Sequence, residues 1–397
     1  MIRTIAQLDE TIYRYILPAG LVMLLTGMFW IGDRSDYHRL FYATVAFPTL
    51  LALIIKPARI LQGGHNVIFI AFLVFSAYML TSTSWSGTDK TTWTLLKRPL
   101  YIALFFYCVA LLALTAPTRI NTSLRVSIAG TACAALISLA IFYSSGGRGR
   151  FDGYGALYNP LLTSHVYGCF AALALGFISC AQHKRDLISL LIAFAIFVAM
   201  LLATGSRTPL VGVTATVAWI VAVRADRRAL GILTVCCIAA ILLITLMPEI
   251  VTSRGLSYRP EIWKESWSQI SQRVWFGHGF DHPMSFPIEG FKDAFADPHN
   301  MELAVLFSGG LAGFALWLIL YVVTLRFAWR NRHVPLVVAA SAALIYGFAA
   351  GLTEGNSFMS RPKEHWFLIW IPFALLAAAS IAKRRRVQHH DQAPRNL

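Results

Sequence analysis

Charged residues are scarce in this chain. Of its 397 residues, 13% are Asp, Glu, Lys or Arg and 57% are hydrophobic, whereas soluble proteins carry about 25% charged residues. The apolar residues form blocks of roughly 16–22 residues, each long enough to cross a hydrocarbon core of about 30 Å. The pattern predicts an all-α, polytopic integral membrane protein that interacts with membrane lipids.

Acidic residues are scarcer than basic ones. The chain has 19 Asp and Glu against 34 Lys and Arg, which gives a net charge of +15. In a membrane protein such an excess serves topology, because Lys and Arg retain loops on the cytoplasmic side. The sequence contains no basic, aromatic-rich soluble domain. We therefore predict no nucleic-acid partner.

Paired cysteines and metal-binding motifs are also missing. All six cysteines fall in apolar segments without CxxC spacing, which predicts buried packing residues. The chain has no Asp-x-Asp, His-Glu-x-x-His, P-loop or Gly-x-Ser-x-Gly motif, and its external carboxylates are scattered. We predict no metal and no cofactor.

The apolar blocks predict a single transmembrane domain over residues 1–397, with about twelve spans. They are predicted near residues 12–31, 39–55, 66–82, 95–114, 122–143, 163–181, 186–204, 208–223, 229–247, 301–325, 335–353 and 365–382. The first apolar segment lacks a cleavage site and is predicted to be a retained span.

The distribution of basic residues orients these spans. With the N-terminus inside, 19 of the 34 Lys and Arg residues are cytoplasmic, and five of the remainder fall in one long loop. Short loops dominate this bias, so both termini are predicted to be cytoplasmic. Residues 383–397 form a basic cytoplasmic tail. Residues 248–300, the long loop, are predicted to be periplasmic if the cell has two membranes.

The long loop contains a helix start at Ser257–Trp263. Pro260 suits the first helical position, and Trp263, Trp267, Ile270 and Val274 recur at helical spacing. Arg259 would lie at the N-terminus of this amphipathic helix, where backbone N–H groups favour anions. The same pattern is compatible with an interfacial helix that is anchored by its tryptophans.

A second helix start is predicted at Asp297-Pro298-His299-Asn300, with Asp297 as the N-cap. His299 would then occupy the first turn of the tenth span, where the helix dipole lowers the pKa of an imidazole. A neutral histidine at the outer mouth can act as a general base near pH 7. The alternative is an interfacial histidine bonded to a carbonyl.

Further external arginines flank glycine-rich turns. Arg207 lies in Gly205-Ser206-Arg207-Thr208-Pro209, Arg148 and Arg150 lie in a glycine-rich loop, and Arg254 lies in the long loop. Guanidinium groups bind phosphate oxygens through paired hydrogen bonds, so a cluster of them would suit a diphosphate. Taken singly, each arginine could also be an interfacial anchor.

The order and spacing of three motifs in this chain resemble those of the O-antigen ligase and O-antigen polymerase superfamily. They are Gly205–Pro209, the Tyr258-Arg259-Pro260-x-x-Trp263 helix start, and Gly277-x-Gly279 leading to Pro298-His299-Asn300. The resemblance implies a GT-C-type membrane glycosyltransferase. Such an enzyme transfers a glycan from undecaprenyl pyrophosphate at the periplasmic face of the inner membrane.

The resemblance to the ligases implies lipid A–core as the acceptor and lipopolysaccharide as the product. It places pyrophosphate binding on Arg207, Arg259 and Arg150, and the base on His299. We also expect Arg148, Arg254, Trp263 and Asn300 to contact the pyrophosphate or the glycan, although Arg148 and Arg254 match no family motif.

Two other functions are compatible with these sequence features. An O-antigen polymerase of the same superfamily would share the motifs. A non-enzymatic transporter of lipid-linked glycans would share the twelve spans. Transporters usually place ionisable residues at mid-membrane, whereas the charges here cluster at the external mouth, which favours chemistry at one face.

Overall fold

Helices dominate the computed structural model, which describes residues 2–246 and 258–391. We number its helices α1 Ile5–Phe29, α2 Arg34–Ile55, α3 Ala58–Gly64, α4 Val67–Trp85, α5 Thr92–Thr115, α6 Pro117–Ser144, α7 Pro160–Cys180, α8 Lys184–Thr204, α9 Thr208–Arg224, α10 Arg227–Leu246, α11 Arg259–Gln272, α12 Met301–Arg330, α13 Pro335–Gly351, α14 Glu364–Leu368 and α15 Trp370–Asp391. Extended pairing within these described ranges is limited to one bridge between Phe286 and Phe295.

The prediction of an all-α polytopic membrane protein is confirmed. In the described part of the chain, nine helices are long and apolar enough to span a membrane, and two shorter apolar ones, α9 and α13, fall at the predicted eighth and eleventh spans. Asparagine side chains cap several of these helices: Asn66 is the N-cap of α4, Asn159 that of α7 and Asn300 that of α12. Each amide oxygen accepts a backbone N–H of the first turn that would otherwise lack a partner.

Helix α7 lies at the centre of the bundle. It is buried along almost its whole length and packs against α8, α9 and α13. Close approach depends on small residues, since a Cβ at Gly168 would overlap the Tyr346 ring and one at Gly176 would overlap the backbone of Ala339. Small residues at helix contacts are typical of membrane bundles, where packing rather than water exclusion drives association.

Helix α12 is interrupted at Gly310, whose φ of 60° and ψ of −165° are not helical. Backbone groups on both sides of this break bond to residues 274–279 of the long loop. His278 N–H donates to the Phe307 carbonyl over 2.8 Å, and Leu311 N–H donates to the Val274 carbonyl over 2.8 Å. The break therefore anchors the long loop to a membrane helix, because groups freed at membrane depth must find partners in the protein.

The predicted twelfth span, 365–382, is divided into α14 and α15 at Ile369. Pro372 explains the division, because a proline cannot donate to the carbonyl four residues earlier and its ring displaces that carbonyl. The displaced Leu368 carbonyl points at Gly347 of α13, where a Cβ would overlap its oxygen. Gly347 thus provides the space that the proline break requires.

We expect Gly347→Ala to destabilise the protein by about 1–3 kcal/mol, the usual cost of overpacking. Gly231→Ala in α10 is the matched control, because nothing lies within 4 Å of a Cβ there and alanine is the better helix former. The measurement is thermal unfolding of each purified variant in detergent. Equal unfolding temperatures for the two variants would contradict the packing described here.

Candidate functional site

Residues from four separate stretches of sequence meet at one end of the helix bundle, which we call the site end. The Thr353 hydroxyl donates to the Thr208 hydroxyl over 3.2 Å, joining the loop after α13 to the start of α9. Arg150 reaches the end of α8, and Arg259 reaches Glu354. The three arginines placed by family resemblance therefore belong to one region of the fold.

Glu354 is the centre of this region. Its side chain is 8% exposed, and each carboxylate oxygen has a different partner. Arg259 donates to Oε2 over 3.0 Å, while Nδ1 of His299 lies 2.9 Å from Oε1. One carboxylate thus holds the first residue of α11 and the residue two positions before α12.

Glu354 and His299 shift each other's pKa, and the charge of Arg259 acts on both. Burial alone would raise the pKa of Glu354, but the hydrogen bond and charge of His299, with the Arg259 guanidinium, lower it to about 2. The hydrogen bond to Glu354 raises the pKa of His299 above its usual value, against the effects of burial and of Arg259. The predicted lowering of the His299 pKa is therefore wrong, because a carboxylate in direct contact outweighs a helix dipole.

The placement of His299 in the first helical turn is also wrong. Helix α12 begins at Met301, and its N-cap is Asn300, whose side chain accepts from the Leu303 N–H over 3.0 Å. His299 lies before the cap with φ of 48°. Asp297 accepts the His299 N–H over 2.7 Å instead of capping the helix. This left-handed turn directs the imidazole to Glu354.

The contact with Glu354 determines which imidazole nitrogen is available for chemistry. When His299 is neutral, Nδ1–H donates to the carboxylate, so Nε2 carries the lone pair. The side chain is 31% exposed, which leaves it accessible from outside the protein. A base whose second nitrogen is held by a carboxylate is the arrangement that enzymes use to remove a hydroxyl proton.

Arg150 and Arg207 flank the turn that joins α8 to α9. Gly205 ends α8 in the left-handed conformation, with φ of 57°. Arg150 lies against this turn and donates through Nε to the Thr204 carbonyl over 2.7 Å and through a terminal nitrogen to Ser206 over 2.9 Å. Arg207 is half-buried and directly precedes α9.

Four other residues were predicted to bind substrate. Trp263 donates to the Pro298 carbonyl over 3.0 Å, and the Asn300 amide donates to the Leu352 carbonyl over 2.9 Å. Both therefore also hold the backbone around His299. Arg148 is exposed, and Arg254 lies outside the described residues. Substrate contact by any of them stays a prediction.

The predicted apolar stripe on α11 is buried in part. Its buried face consists of Ile262, Ser266 and Ile270, which pack towards Phe307 of α12, whereas Trp267 is 57% exposed. Of the predicted stripe, Ile270 is buried and Trp263 and Val274 are half-buried. The prediction is therefore wrong for Trp267 alone. The predicted helix start is one residue late, because Arg259, and not Pro260, is the first residue of α11.

Sequence reasoning missed Glu354 and a second buried carboxylate, Glu364. Arg34 donates to Glu364 over 2.8 Å, and Nδ1 of His365 lies 3.2 Å from it. These carboxylates therefore fix both ends of the loop between α13 and α14. A usable signal existed in the sequence, since each is an acidic residue next to an apolar span, where an unpaired charge would be costly.

Asp297, His299 and Glu354 form the group with suitable metal ligands among the described residues, with ligand atoms within 4.8 Å of one another. Carboxylate and imidazole donors could hold a divalent cation. Both Glu354 oxygens already bind Arg259 and His299, so a cation would have to displace these contacts. The absence of a metal requirement stays a prediction.

Comparison with known proteins tests the resemblance that the motifs suggested. A family model described as O-antigen ligase matches residues 192–318, a range that includes Arg207, Arg259 and His299. A protein of Pseudomonas aeruginosa PAO1 named O-antigen ligase is 51% identical over 371 residues, covering 93% of this chain and 92% of that protein. The resemblance drawn from the motifs is confirmed: the chain belongs to the O-antigen ligase family.

Proposed function

We propose that this protein transfers an O-antigen glycan from undecaprenyl pyrophosphate to a sugar hydroxyl of lipid A–core in lipopolysaccharide biosynthesis. The observation that carries the proposal is the Arg259–Glu354–His299 group at the site end. It combines a base that can activate a hydroxyl with a cationic donor, Arg259, that suits a diphosphate. Transfer takes place at the periplasmic face of the inner membrane, without a metal or cofactor.

The base is His299. As the acceptor oxygen attacks the anomeric carbon, Nε2 takes the hydroxyl proton and the bond from that carbon to the diphosphate oxygen breaks. The ionised Glu354 stabilises the imidazolium formed, as the carboxylate of a catalytic triad does. Attack from the side opposite the diphosphate inverts the anomeric centre, so one base is sufficient and the sugar never bonds to the protein.

The arginines bind the leaving diphosphate. Arg150, Arg207 and Arg259 come from different parts of the chain yet lie at the same end of the bundle. Guanidinium groups stay protonated and bind phosphate oxygens in pairs, so they can stabilise the charge that develops as the carrier leaves. Glu354 limits the freedom of Arg259 before substrate arrives.

The direct test is glycan transfer by purified protein in detergent, with lipid-linked O-antigen, lipid A–core and EDTA. We expect ligated lipopolysaccharide, and a loss of about 10²–10⁴-fold in turnover for His299→Ala, the usual effect of removing a general base. Donor binding should persist, because the arginines hold the donor. His333→Ala is the matched control, since His333 is exposed in the loop between α12 and α13.

The two alternative functions predict different outcomes in this assay. A polymerase would lengthen the lipid-linked glycan without using lipid A–core, and a transporter would transfer nothing in a detergent solution that has no compartments. Near-normal turnover in His299→Ala would remove the histidine from the mechanism. Dependence on added Mg²⁺ after EDTA would identify the Asp297–His299–Glu354 group as a cation site.

Replacing Arg259 with lysine keeps the charge but removes paired hydrogen bonding. We expect Arg259→Lys to lower turnover by about 10²-fold or more, by analogy with the loss of an oxyanion donor. Arg273→Lys is the matched control, because Arg273 is exposed at the other end of α11. Near-normal activity of both variants would remove Arg259 from substrate binding and leave it as the ion-pair partner of Glu354.

Membrane orientation can be tested by labelling. In a variant without its six native cysteines, Lys292→Cys should react with an impermeant maleimide in cells whose outer membrane is permeabilised, whereas Arg385→Cys should not. Both positions are exposed, and the basic side chains of Arg59, Arg125 and Lys383 make contacts at the end opposite the site. The reverse labelling pattern would place the site in the cytoplasm and exclude the proposed reaction there.

A further inference from the structure

A cavity of about 400 Å³ opens between the long loop, the start of α12 and the loop after α13. Its walls come from residues 88–90 after α4, Arg98 of α5, residues 280–284 of the long loop, Ala296, Ser308, and residues 356–359 after α13. The volume lies within the range of small-molecule sites, about 300–1,000 Å³. None of the residues placed in the transfer chemistry lines this cavity.

One wall is a rigid polar group around Asp281. This residue has φ of 65°, and its carboxylate accepts from Thr88 over 2.9 Å, Lys90 over 2.9 Å and Arg98 over 2.8 Å. Burial tends to raise the pKa of Asp281, but these partners lower it. Left-handed residues held by several bonds are concentrated at functional sites, where they fix the position of polar groups in advance.

The composition of the walls indicates the class of ligand. Lys90 and Arg98 are balanced by Asp89 and Asp281, so the lining has no net excess of lysine and arginine over aspartate. This balance distinguishes the cavity from the arginine cluster that suits a diphosphate. The remaining walls consist of His282, hydroxyl and amide groups, and apolar side chains. This mixture fits a sugar, whose hydroxyls are polar and whose C–H faces are apolar.

Chain connectivity places the cavity within reach of the base. Ala296 precedes His299 by three residues and Asn356 follows Glu354 by two. Consecutive Cα atoms are about 3.8 Å apart, so the Cα atoms of Ala296 and His299 are separated by at most about 11 Å. A short oligosaccharide could therefore occupy the cavity while one of its hydroxyls, or its reducing end, lies at His299.

We propose that this cavity is a carbohydrate subsite that binds an uncharged sugar residue next to the one that reacts. The assignment deepens the proposed function, on which its choice of oligosaccharide rests. The sugar comes either from the acceptor core or from the donor glycan, and both present the same hydroxyl chemistry. Binding there orients the reacting sugar towards His299.

The experiment measures binding to the purified full-length protein by saturation-transfer NMR. The two probes are core oligosaccharide freed from lipid A and O-antigen glycan freed from its carrier. Ala296→Trp places a large ring on the exposed cavity wall, and Ala294→Trp is the matched control, because it is exposed in the same loop and does not line the cavity. Asn356→Ala removes a polar wall group without adding bulk.

We expect at least one probe to bind the native protein and the Ala294→Trp variant but not Ala296→Trp. The Asn356→Ala variant should weaken binding by about tenfold, near the upper end for one hydrogen bond. The probe affected identifies the source of the sugar. The proposal is overturned if neither probe binds the native protein, or if binding persists in Ala296→Trp. Because the readout is binding, failed transfer with intact binding would count against the proposed reaction alone.

Discussion

A single buried carboxylate controls the geometry of the candidate site. Glu354 bonds to Arg259 through one oxygen and to His299 through the other, so it joins the start of α11, the start of α12 and the end of α13. A buried carboxylate needs such partners, because burying it unpaired costs several kcal/mol, of the order found for broken buried ion pairs. The same contacts that satisfy the charge also orient His299 and Arg259, the proposed base and one of the proposed phosphate-binding donors.

Strained and broken backbone supports that carboxylate. Of the four non-glycine residues with positive φ in the described ranges, Tyr258, Asp281 and His299 belong to the long loop. The break at Gly310 anchors the long loop, and the break at Ile369 lies at the end of α14, the short helix that follows the loop carrying Glu354. Irregular backbone thus lies where polar side chains need a fixed orientation, while the regular helices form the scaffold.

Much of the fold followed from the sequence because apolar block length is set by membrane thickness. Local patterns of glycine, proline and arginine also selected Arg207, Arg259 and His299 as candidates, and their substrate roles stay predictions. Glu354 was missed because its role depends on residues 55 and 95 positions away, and no local pattern encodes such contacts. The pKa of His299 was predicted in the wrong direction for the same reason.

The measurement that tests this account most directly is the pH dependence of glycan transfer in the native protein and in Glu354→Gln. Because Glu354 raises the pKa of His299, activity of the native protein should fall with decreasing pH from a point above 6.5, the ordinary histidine value. Loss of the carboxylate charge should move that acid limb to lower pH and reduce the maximal rate. An unchanged acid limb in Glu354→Gln would contradict the claim that Glu354 controls the base.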